Sequence, residues 1–304
     1  MQAGFSKNDI AGFIGVHKST VTREIQRNTG LRGYRPRQAH QRAMERMRTA
    51  AKHIRFTPDV KDKVELLLEL DFSPDQISNH LYLRHNISIS HERIYQHIWA
   101  DKQSGGDLYK HLRTGRRKKR KRYGSRDNRG QIPDRRGIEE RPNIVDKKAR
   151  IGDWEIDTIV GKDHKGAIVT AVERKTLYTC ISHVSSRKAD IVAKAIIRMF
   201  KPFKEKVLTI TADNGKEFSG HKHISDTLET EFYFADPYSA WQRGLNEHTN
   251  GLLRQYFPKK MKLESVSELL INSVETRLNI RPRKTLEYKS PMEAFLNLKV
   301  ALGT

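Results

Sequence analysis

The carboxyl-terminal half of the chain alternates short β-rich runs with amphipathic helical runs, and their order restricts the fold more than any other feature. Three β-rich runs joined by tight turns predict an antiparallel meander; they lie at residues 153–160, 167–173 and 178–184. A helix, a strand, a short helix, an edge strand and a further helix are predicted to follow. We therefore expect an α/β domain in which helices cover both faces of a mixed five-stranded sheet.

Three acidic residues occupy positions from which this fold would direct carboxylates to a shared surface. Asp157 lies in the middle of the first predicted strand. Asp213 directly follows a β-rich run and precedes the loop-forming pair Asn214-Gly215, so it is expected at the carboxyl end of a strand, where α/β sheets bind ligands. Glu247 falls in a predicted helix over residues 245–256, and 33 residues separate it from Asp213.

Three carboxylates gathered at one point would repel one another, so their joint placement favours neutralisation by divalent cations. Oxygen ligands without cysteine or paired histidine indicate Mg²⁺ or Mn²⁺. Two such ions about 3.5 to 4 Å apart can activate an attacking oxygen and stabilise the leaving oxygen of a phosphodiester displacement. The alternative is that these residues are ordinary surface acids, since the chain has 36 Asp and Glu residues.

Three segments of the chain resemble the catalytic blocks of the insertion-sequence-thirty (IS-thirty) family of bacterial DDE transposases. They are GDWEIDT at residues 152–158, TADNGKEF at 211–218 and QRGLNEHTNGLLRQYFPK at 242–259. The resemblance extends over nearly the whole chain. It implies a ribonuclease-H-like core in which Asp157, Asp213 and Glu247 are the catalytic and metal-binding triad. It also implies two Mg²⁺ ions as cofactors, for which Mn²⁺ is expected to substitute.

The resemblance further implies a substrate and a reaction. We expect a transposase that binds the terminal inverted repeats of an insertion sequence and catalyses metal-dependent cleavage and strand transfer into target DNA. Because two ends must be paired, a homodimer or higher oligomer on double-stranded DNA is expected. Two alternatives stay open: a DNA-binding regulator with a non-catalytic ribonuclease-H-like domain, and a metal-dependent nuclease without joining activity.

Positive charge is concentrated in the amino-terminal half of the chain. The formal net charge is +22; residues 1–150 contain 34 Lys and Arg against 17 Asp and Glu, whereas residues 151–304 contain 24 against 19. The amino-terminal half is therefore expected to face a polyanion such as DNA. No run approaches the roughly 20 apolar residues of a membrane span, and the start of the chain lacks the apolar core of a signal peptide. We expect no membrane partner and a cytoplasmic, nucleoid-associated protein in a bacterium.

The amino-terminal half contains two predicted helix-turn-helix units. The first has Gly15 at its turn and Val21 on its second helix. Six of its residues are expected to face a DNA groove: His17, Ser19, Thr20, Thr22, Arg23 and Arg27. The second unit begins at a capping box in which Ser73 and Gln76 pair, and it is expected to present His91, Arg93 and Gln96. The alternative is that both units are helical hairpins that bind nothing.

These features predict four parts of the chain. They are residues 1–55 with the first unit and a basic connecting helix, 56–112 with the second unit, 113–149 as a basic linker, and 150–304 as the catalytic domain with C-terminal helices. Family members usually have a helix ahead of the first unit, whereas this chain starts at Met1, so that unit is expected to be truncated.

Further DNA contacts are expected in the linker and in the catalytic part. In the linker they are Arg116, Arg117, Lys118, Lys119, Arg120, Lys121 and Arg122, which would bind phosphates without reading sequence. In the catalytic part they are Arg254, Arg281, Arg283 and Lys284. For these four, stabilisation of their own helix or a solvated loop is the alternative.

Overall fold

The structure is a computed structural model, and it describes residues 4–49, 56–113, 132–237 and 239–297, apart from the side chains of His164, Ala240 and Trp241. The predicted phosphate contacts at residues 116–122 lie outside the described residues. Contacts between Cα atoms divide the chain into two compact units, Met1–Arg55 and Phe56–Thr304.

Residues 4–49 of the first unit form three helices: α1 (Lys7–Phe13), α2 (Lys18–Asn28) and α3 (Pro36–Thr49). A capping box begins α1, because the Ser6 hydroxyl accepts from the backbone of Asp9 and the Asp9 carboxylate accepts in return. Gly15 has φ +66° in the turn before α2, a conformation that favours glycine. Ala11 and Val21 are buried between the two helices, as expected for a helix-turn-helix pair.

The second unit starts with a three-helix bundle, formed by α4 (Pro58–Glu69), α5 (Pro74–His85) and α6 (His91–Gln103). The predicted capping box at the start of α5 is present, with Ser73 and Gln76 bonded reciprocally. Asn86 ends α5 in the left-handed conformation that asparagine tolerates. The core of the bundle is apolar, and its fully buried members are Val64, Leu68, Phe72, Ile77, Leu81, Ile94 and Ile98.

A five-stranded sheet forms the centre of the second unit. Its strands are β1 (Asp153–Val160), β2 (Ala167–Glu173), β3 (Thr179–Val184), β4 (Thr209–Ala212) and β5 (Glu231–Phe234). They lie in the order β3-β2-β1-β4-β5. The first three strands are antiparallel, whereas β4 pairs in parallel with β1 and with β5. This mixed topology confirms the predicted ribonuclease-H-like fold.

Helices cover both faces of the sheet. One apolar core contains Ile156 of β1 together with residues of α8 (Ala189–Phe200) and α9 (His221–Leu228). The other contains Ile159 of β1 and residues of α10 (Gly244–Leu253) and α11 (Glu268–Ile280). Side chains of a strand alternate between its faces, so residues 156 and 159 belong to opposite cores. Cys180 is buried in the first core.

Residues 132–149 pack against the sheet, although the sequence pattern places them in the linker. Ile132 belongs to the first core, and Val145 in the short helix α7 (Asn143–Asp146) is fully buried. The buried Arg141 donates to the hydroxyl of Thr211 at 2.9 Å. The last described helix is α12 (Pro291–Leu296). Among the described residues, no helix has both the length and the apolar composition needed to cross a membrane.

Candidate active site

Two strands bring Asp157 and Asp213 to neighbouring positions. β1 and β4 pair in parallel with Glu155 opposite Thr211. Asp157 lies two residues beyond Glu155 and Asp213 two residues beyond Thr211, so both side chains fall on one side of adjacent strands, which lie about 4.8 Å apart. β4 ends at Ala212, so Asp213 stands at the carboxyl end of its strand. The pairing of the two aspartates is therefore a consequence of strand register.

The guanidinium of Arg243 lies between these two carboxylates. Its Nη1 is 3.7 Å from Asp157 Oδ2, and its Nη2 is 3.6 Å from Asp213 Oδ2. Nη1 also donates to the carbonyl of Ile156 at 3.3 Å. The positive charge offsets part of the repulsion between the aspartates. The sequence pattern gives Arg243 no role; the available signal is that it lies just before the predicted helix that carries Glu247.

Glu247 lies on α10, in the first turn of the helix. Asn250, three residues later and thus on the same side of the helix, donates from Nδ2 to Asp157 Oδ2 at 3.0 Å. Thr170 of β2 donates to Asn250 Oδ1 at 3.1 Å and holds that amide in place. Glu247 itself is exposed. Within the described part of the chain, no three His, Cys, Asp or Glu side chains are gathered closely enough to hold a metal ion.

The charge state of Asp157 reflects its surroundings. Burial raises the pKa of Asp157 to about 6, the nearby Arg243 acts in the opposite direction, and Asp213 raises it further. The backbone N–H of Thr158 donates to Asp157 Oδ1 at 2.7 Å and favours the ionised form. A partly desolvated carboxylate next to another carboxylate is suited to bind a divalent cation, because the cation removes the repulsion and replaces lost solvation.

The burial of Asp157 predicts that the substitution Asp157→Asn stabilises the metal-free protein. The ordinary pKa is 3.8 and the folded value is about 6, so ionisation opposes folding and the stability of the parent falls as pH rises from about 3.8 to about 6. The variant does not pay this cost. We expect its free energy of unfolding to exceed that of the parent by about 1 to 3 kcal/mol above pH 6, and the difference to vanish towards pH 4.

Urea denaturation in a chelating buffer at several pH values measures this difference. Asp226→Asn is the matched control, because Asp226 is exposed on α9 and its amide should change stability little at any pH. A gain for Asp157→Asn that is the same at low and neutral pH would contradict the explanation, since only the ionised form is destabilised by burial.

Two other acids near the site have different partners. Glu155 Oε1 accepts from Arg174 Nη1 at 2.6 Å, and Glu155 Oε2 accepts from the backbone N–H of Asn246 at 3.1 Å. Burial raises the pKa of Glu155. Glu217 Oε1 accepts from Thr158 Oγ1 at 2.9 Å and from Arg187 at 3.1 Å. Glu155 thus fixes the start of α10. Glu217 supports β1 at Thr158, the residue that follows Asp157.

The predicted DNA-facing residues of the helix-turn-helix units are mostly on the surface. In the first helix-turn-helix, Thr22 is partly buried, and the other five predicted residues are exposed: His17, Ser19, Thr20, Arg23 and Arg27. His17 caps α2 through its ring nitrogen, which accepts from the backbone of Ser19. In the second helix-turn-helix, His91, Arg93 and Gln96 are exposed on α6. The structure therefore leaves these side chains accessible to a ligand.

The four cations predicted in the catalytic part differ in their surroundings. Arg254 donates to two backbone carbonyls, those of Phe257 and Val160, at 3.3 and 3.2 Å. Arg281 is buried and bonds to the hydroxyl of Tyr256. Arg283 is partly buried and Lys284 is exposed. Arg254 therefore ties α10 to β1, whereas Lys284 is free to reach solvent.

Comparisons with known proteins give consistent relatives. The chain is 45% identical to the transposase for insertion sequence element IS4351 of Bacteroides fragilis, over 97% of this chain and 91% of that protein. It is 34% identical to transposase InsI for insertion sequence element IS30A of Escherichia coli K12, over 96% and 79%. It is 30% identical to the putative integrase ORF3 of a Spiroplasma virus, over 94% and 89%.

Other comparisons are more distant. No protein-family model matches the chain. Among solved structures, the catalytic core domain of BIV integrase aligns with a TM-score of 0.38 at 18% sequence identity, and the alignment covers 49% of this chain and 95% of that one.

Proposed function

Because the chain belongs to the IS30 family of transposases, we propose that it binds the terminal inverted repeats of an insertion sequence and catalyses divalent-metal-dependent DNA cleavage and strand transfer into target DNA. The observation that supports this most directly is the placement of Asp157 and Asp213 at one point on adjacent strands, with one guanidinium between them.

The proposed metal ligands are Asp157, Asp213 and Glu247. The two aspartates offer hard oxygen donors from neighbouring strands, and Glu247 lies one helical turn before Asn250, which already contacts Asp157. This donor set fits Mg²⁺, with Mn²⁺ as the expected substitute. A bound pair of such ions would activate the attacking oxygen and stabilise the leaving oxygen. Each of the three carboxylates is proposed to be a catalytic residue.

The surrounding side chains are proposed to position these carboxylates. Asn250 holds the Asp157 carboxylate at 3.0 Å and is itself held by Thr170 at 3.1 Å. Glu155 fixes the amino end of α10 through the backbone of Asn246 at 3.1 Å, which sets the direction of Glu247. Support of this kind matters because a displacement of about 1 Å in a catalytic group reduces rates strongly.

The helix-turn-helix units are proposed to recognise the DNA ends. On α6 the exposed Arg93 and Gln96 are three residues apart and share one side of the helix, and the exposed His91 lies at its amino end; these side chains are proposed to contact base edges in a major groove. The net charge of +17 in residues 1–150 would attract the phosphate backbone. Binding of end DNA is therefore expected to weaken steeply as salt is added. Two ends must be paired, so we propose a homodimer or higher oligomer on DNA.

An end-cleavage and strand-joining assay tests the proposal. The full chain is incubated with a duplex that contains one element end and with supercoiled target DNA, with Mg²⁺, with Mn²⁺ or with a chelator. Cleavage and joining that require the metal support the proposal. Cleavage without joining would indicate a nuclease, and end binding without either reaction would indicate a regulator; each of these results would overturn it.

A further inference from the structure

A large pocket lies between the three-helix bundle and the catalytic sheet domain, both within the second unit. Its volume is about 1230 Å³. One wall is formed by residues of the bundle and of the segment that follows it, including Trp99 and Tyr109, and the other by α10 and by the basic turn of residues 281–286. None of the residues proposed to bind metal lines this pocket. It is thus a concave surface distinct from the residues proposed to bind metal.

The lining of the pocket is strongly basic. Eight Lys and Arg residues line it, against two acids, Asp71 and Asp75. The basic residues include Lys102, Arg281, Arg283 and Lys284, whereas Arg174 is already paired with Glu155 at 2.6 Å. Both acids already accept hydrogen bonds from protein side chains. The excess positive charge therefore favours an anionic ligand.

Two arginines of the pocket each have a buried N–H group without an acceptor among the described residues. The Nε–H groups of Arg281 and Arg283 are buried and find no acceptor in the described part of the chain. Arg281 is only 4% exposed. Its Nη2 donates to the hydroxyl of Tyr256, but its Nε–H has no such partner. Burial lowers the pKa of Arg283 to about 10, and the charges of Arg281 and Arg113 act in the same direction. Buried donors of this kind are usually satisfied, and a phosphate oxygen is a strong acceptor for the N–H groups of arginine.

Exposed aromatic surface lies in the same pocket. The Trp99 ring is 46% exposed. The Lys102 ammonium lies over two rings, 5.2 Å from the centroid of Trp99 and 4.4 Å from that of Tyr109. A cationic groove with accessible aromatic rings is the combination that binds unpaired nucleotides, with phosphates on the cations and bases stacked on the rings. A base inside a duplex has both faces covered by its neighbours, so these rings suit an unpaired base.

The pocket lies close enough to Asp157 and Asp213 for one DNA strand to contact both places. Helix α10 forms its wall through Leu245, Thr249 and Leu252, whereas Asn250 of the same helix contacts Asp157. One helix diameter, about 10 to 12 Å, therefore separates the pocket from the candidate active site. At most about three nucleotides span this distance, because an unpaired strand extends by at least the roughly 3.4 Å per nucleotide of a stacked strand.

From these observations we infer that the pocket binds a short unpaired segment of the DNA strand, with phosphates at Arg281, Arg283 and Lys284 and a base on Trp99. The inference rests on the proposed action on DNA, and it adds that the strand is unpaired within a few nucleotides of the reacting phosphate. Strand separation at the DNA end would then be part of substrate binding.

Fluorescence anisotropy of a labelled oligothymidylate of about 6 nucleotides, bound to the full chain in a chelating buffer, tests the inference. We expect Trp99→Leu to weaken binding about tenfold, which is the effect of losing one base–aromatic stack. Lys284→Gln should weaken binding severalfold and reduce its salt dependence. Two matched controls lie outside the pocket: Tyr82→Leu, an aromatic 57% exposed on α5, and Lys194→Gln, an exposed cation on α8. Neither should change the affinity by more than about twofold.

Equal losses in pocket and control variants, or no loss in the pocket variants, would overturn the inference. It would also be overturned if a duplex of the same length were affected as much by Trp99→Leu, or if thymidine triphosphate bound as tightly as the oligonucleotide. Because no metal is present, a failure of the proposed catalysis would leave this measurement unchanged, and a failure here would leave the cleavage assay unchanged.

Discussion

Replacing Asp157, Asp213 or Glu247 by the matching amide is expected to leave binding of end DNA intact and to lower both cleavage and joining by roughly a thousandfold or more. This is the scale on which removal of one member of a catalytic set that acts as a unit is felt. The physical reason is that an amide is a neutral and much weaker ligand for a hard cation than a carboxylate. The measurement is single-turnover cleavage and joining of a labelled element end, with end binding measured separately.

Glu217→Gln is the matched control for the three triad variants. Glu217 lies close enough to raise the pKa of Asp157, yet its carboxylate accepts from Thr158 and Arg187. Its amide should therefore keep both reactions within about tenfold of the parent. Parent-like joining by any triad variant would refute the assignment of that residue. Asp157→Asn is informative in another way: it is expected to be inactive and more stable, so its inactivity could not be attributed to unfolding.

Asp71→Asn is expected to lower the free energy of unfolding of the second unit by about 3 kcal/mol or more, which is the usual cost of leaving a buried charge without its partner. Asp71 lies two residues after the end of α4, and its side chain is only 9% exposed. It accepts from His111 and Arg277 at 3.0 Å and from the Tyr256 hydroxyl at 2.7 Å, and the buried Arg281 lies 4.0 Å away. His111 belongs to the segment that follows the three-helix bundle, whereas Tyr256, Arg277 and Arg281 belong to the sheet domain. The Asp71 carboxylate therefore joins the bundle to the sheet domain.

Asparagine is the suitable replacement at this position. Asp71 has φ +61°, and asparagine tolerates the left-handed region, so the substitution removes charge without adding backbone strain. The matched control is Asp59→Asn, because Asp59 is 73% exposed and pairs only with Lys63 at 3.0 Å. That exposed pair should contribute less than about 1 kcal/mol. Urea denaturation followed by circular dichroism measures both variants, and equal losses would contradict the role given to Asp71.

The close docking of the bundle on the sheet domain was not evident in the sequence pattern. Gln76 donates to the carbonyl of Pro282 at 2.7 Å, and Arg84 pairs with Glu293, contacts that join residues more than two hundred positions apart. Local periodicity identifies which face of a helix is apolar, but it does not state which distant surface that face meets. The pocket inferred to bind unpaired DNA exists only because of this docking.

Local signals predicted much of what the structure contains. The capping box at Ser73, the turn glycine Gly15 and the strand around Asp157 were all readable from short-range chemistry, because capping, left-handed turns and side-chain alternation depend on neighbouring residues. The order of strands and helices likewise indicated the mixed five-stranded sheet, since few topologies accommodate it.

Only the tertiary structure decided how these parts meet. The sequence by itself determined the elements, the excess of positive charge and the positions of Asp157, Asp213 and Glu247 along them. Parallel pairing of β1 with β4 then set Asp157 beside Asp213, and the turn before α10 placed Arg243 between them. Such contacts depend on strand register and helix docking between segments far apart in the chain, and these are settled by packing of the whole core and not by any local pattern.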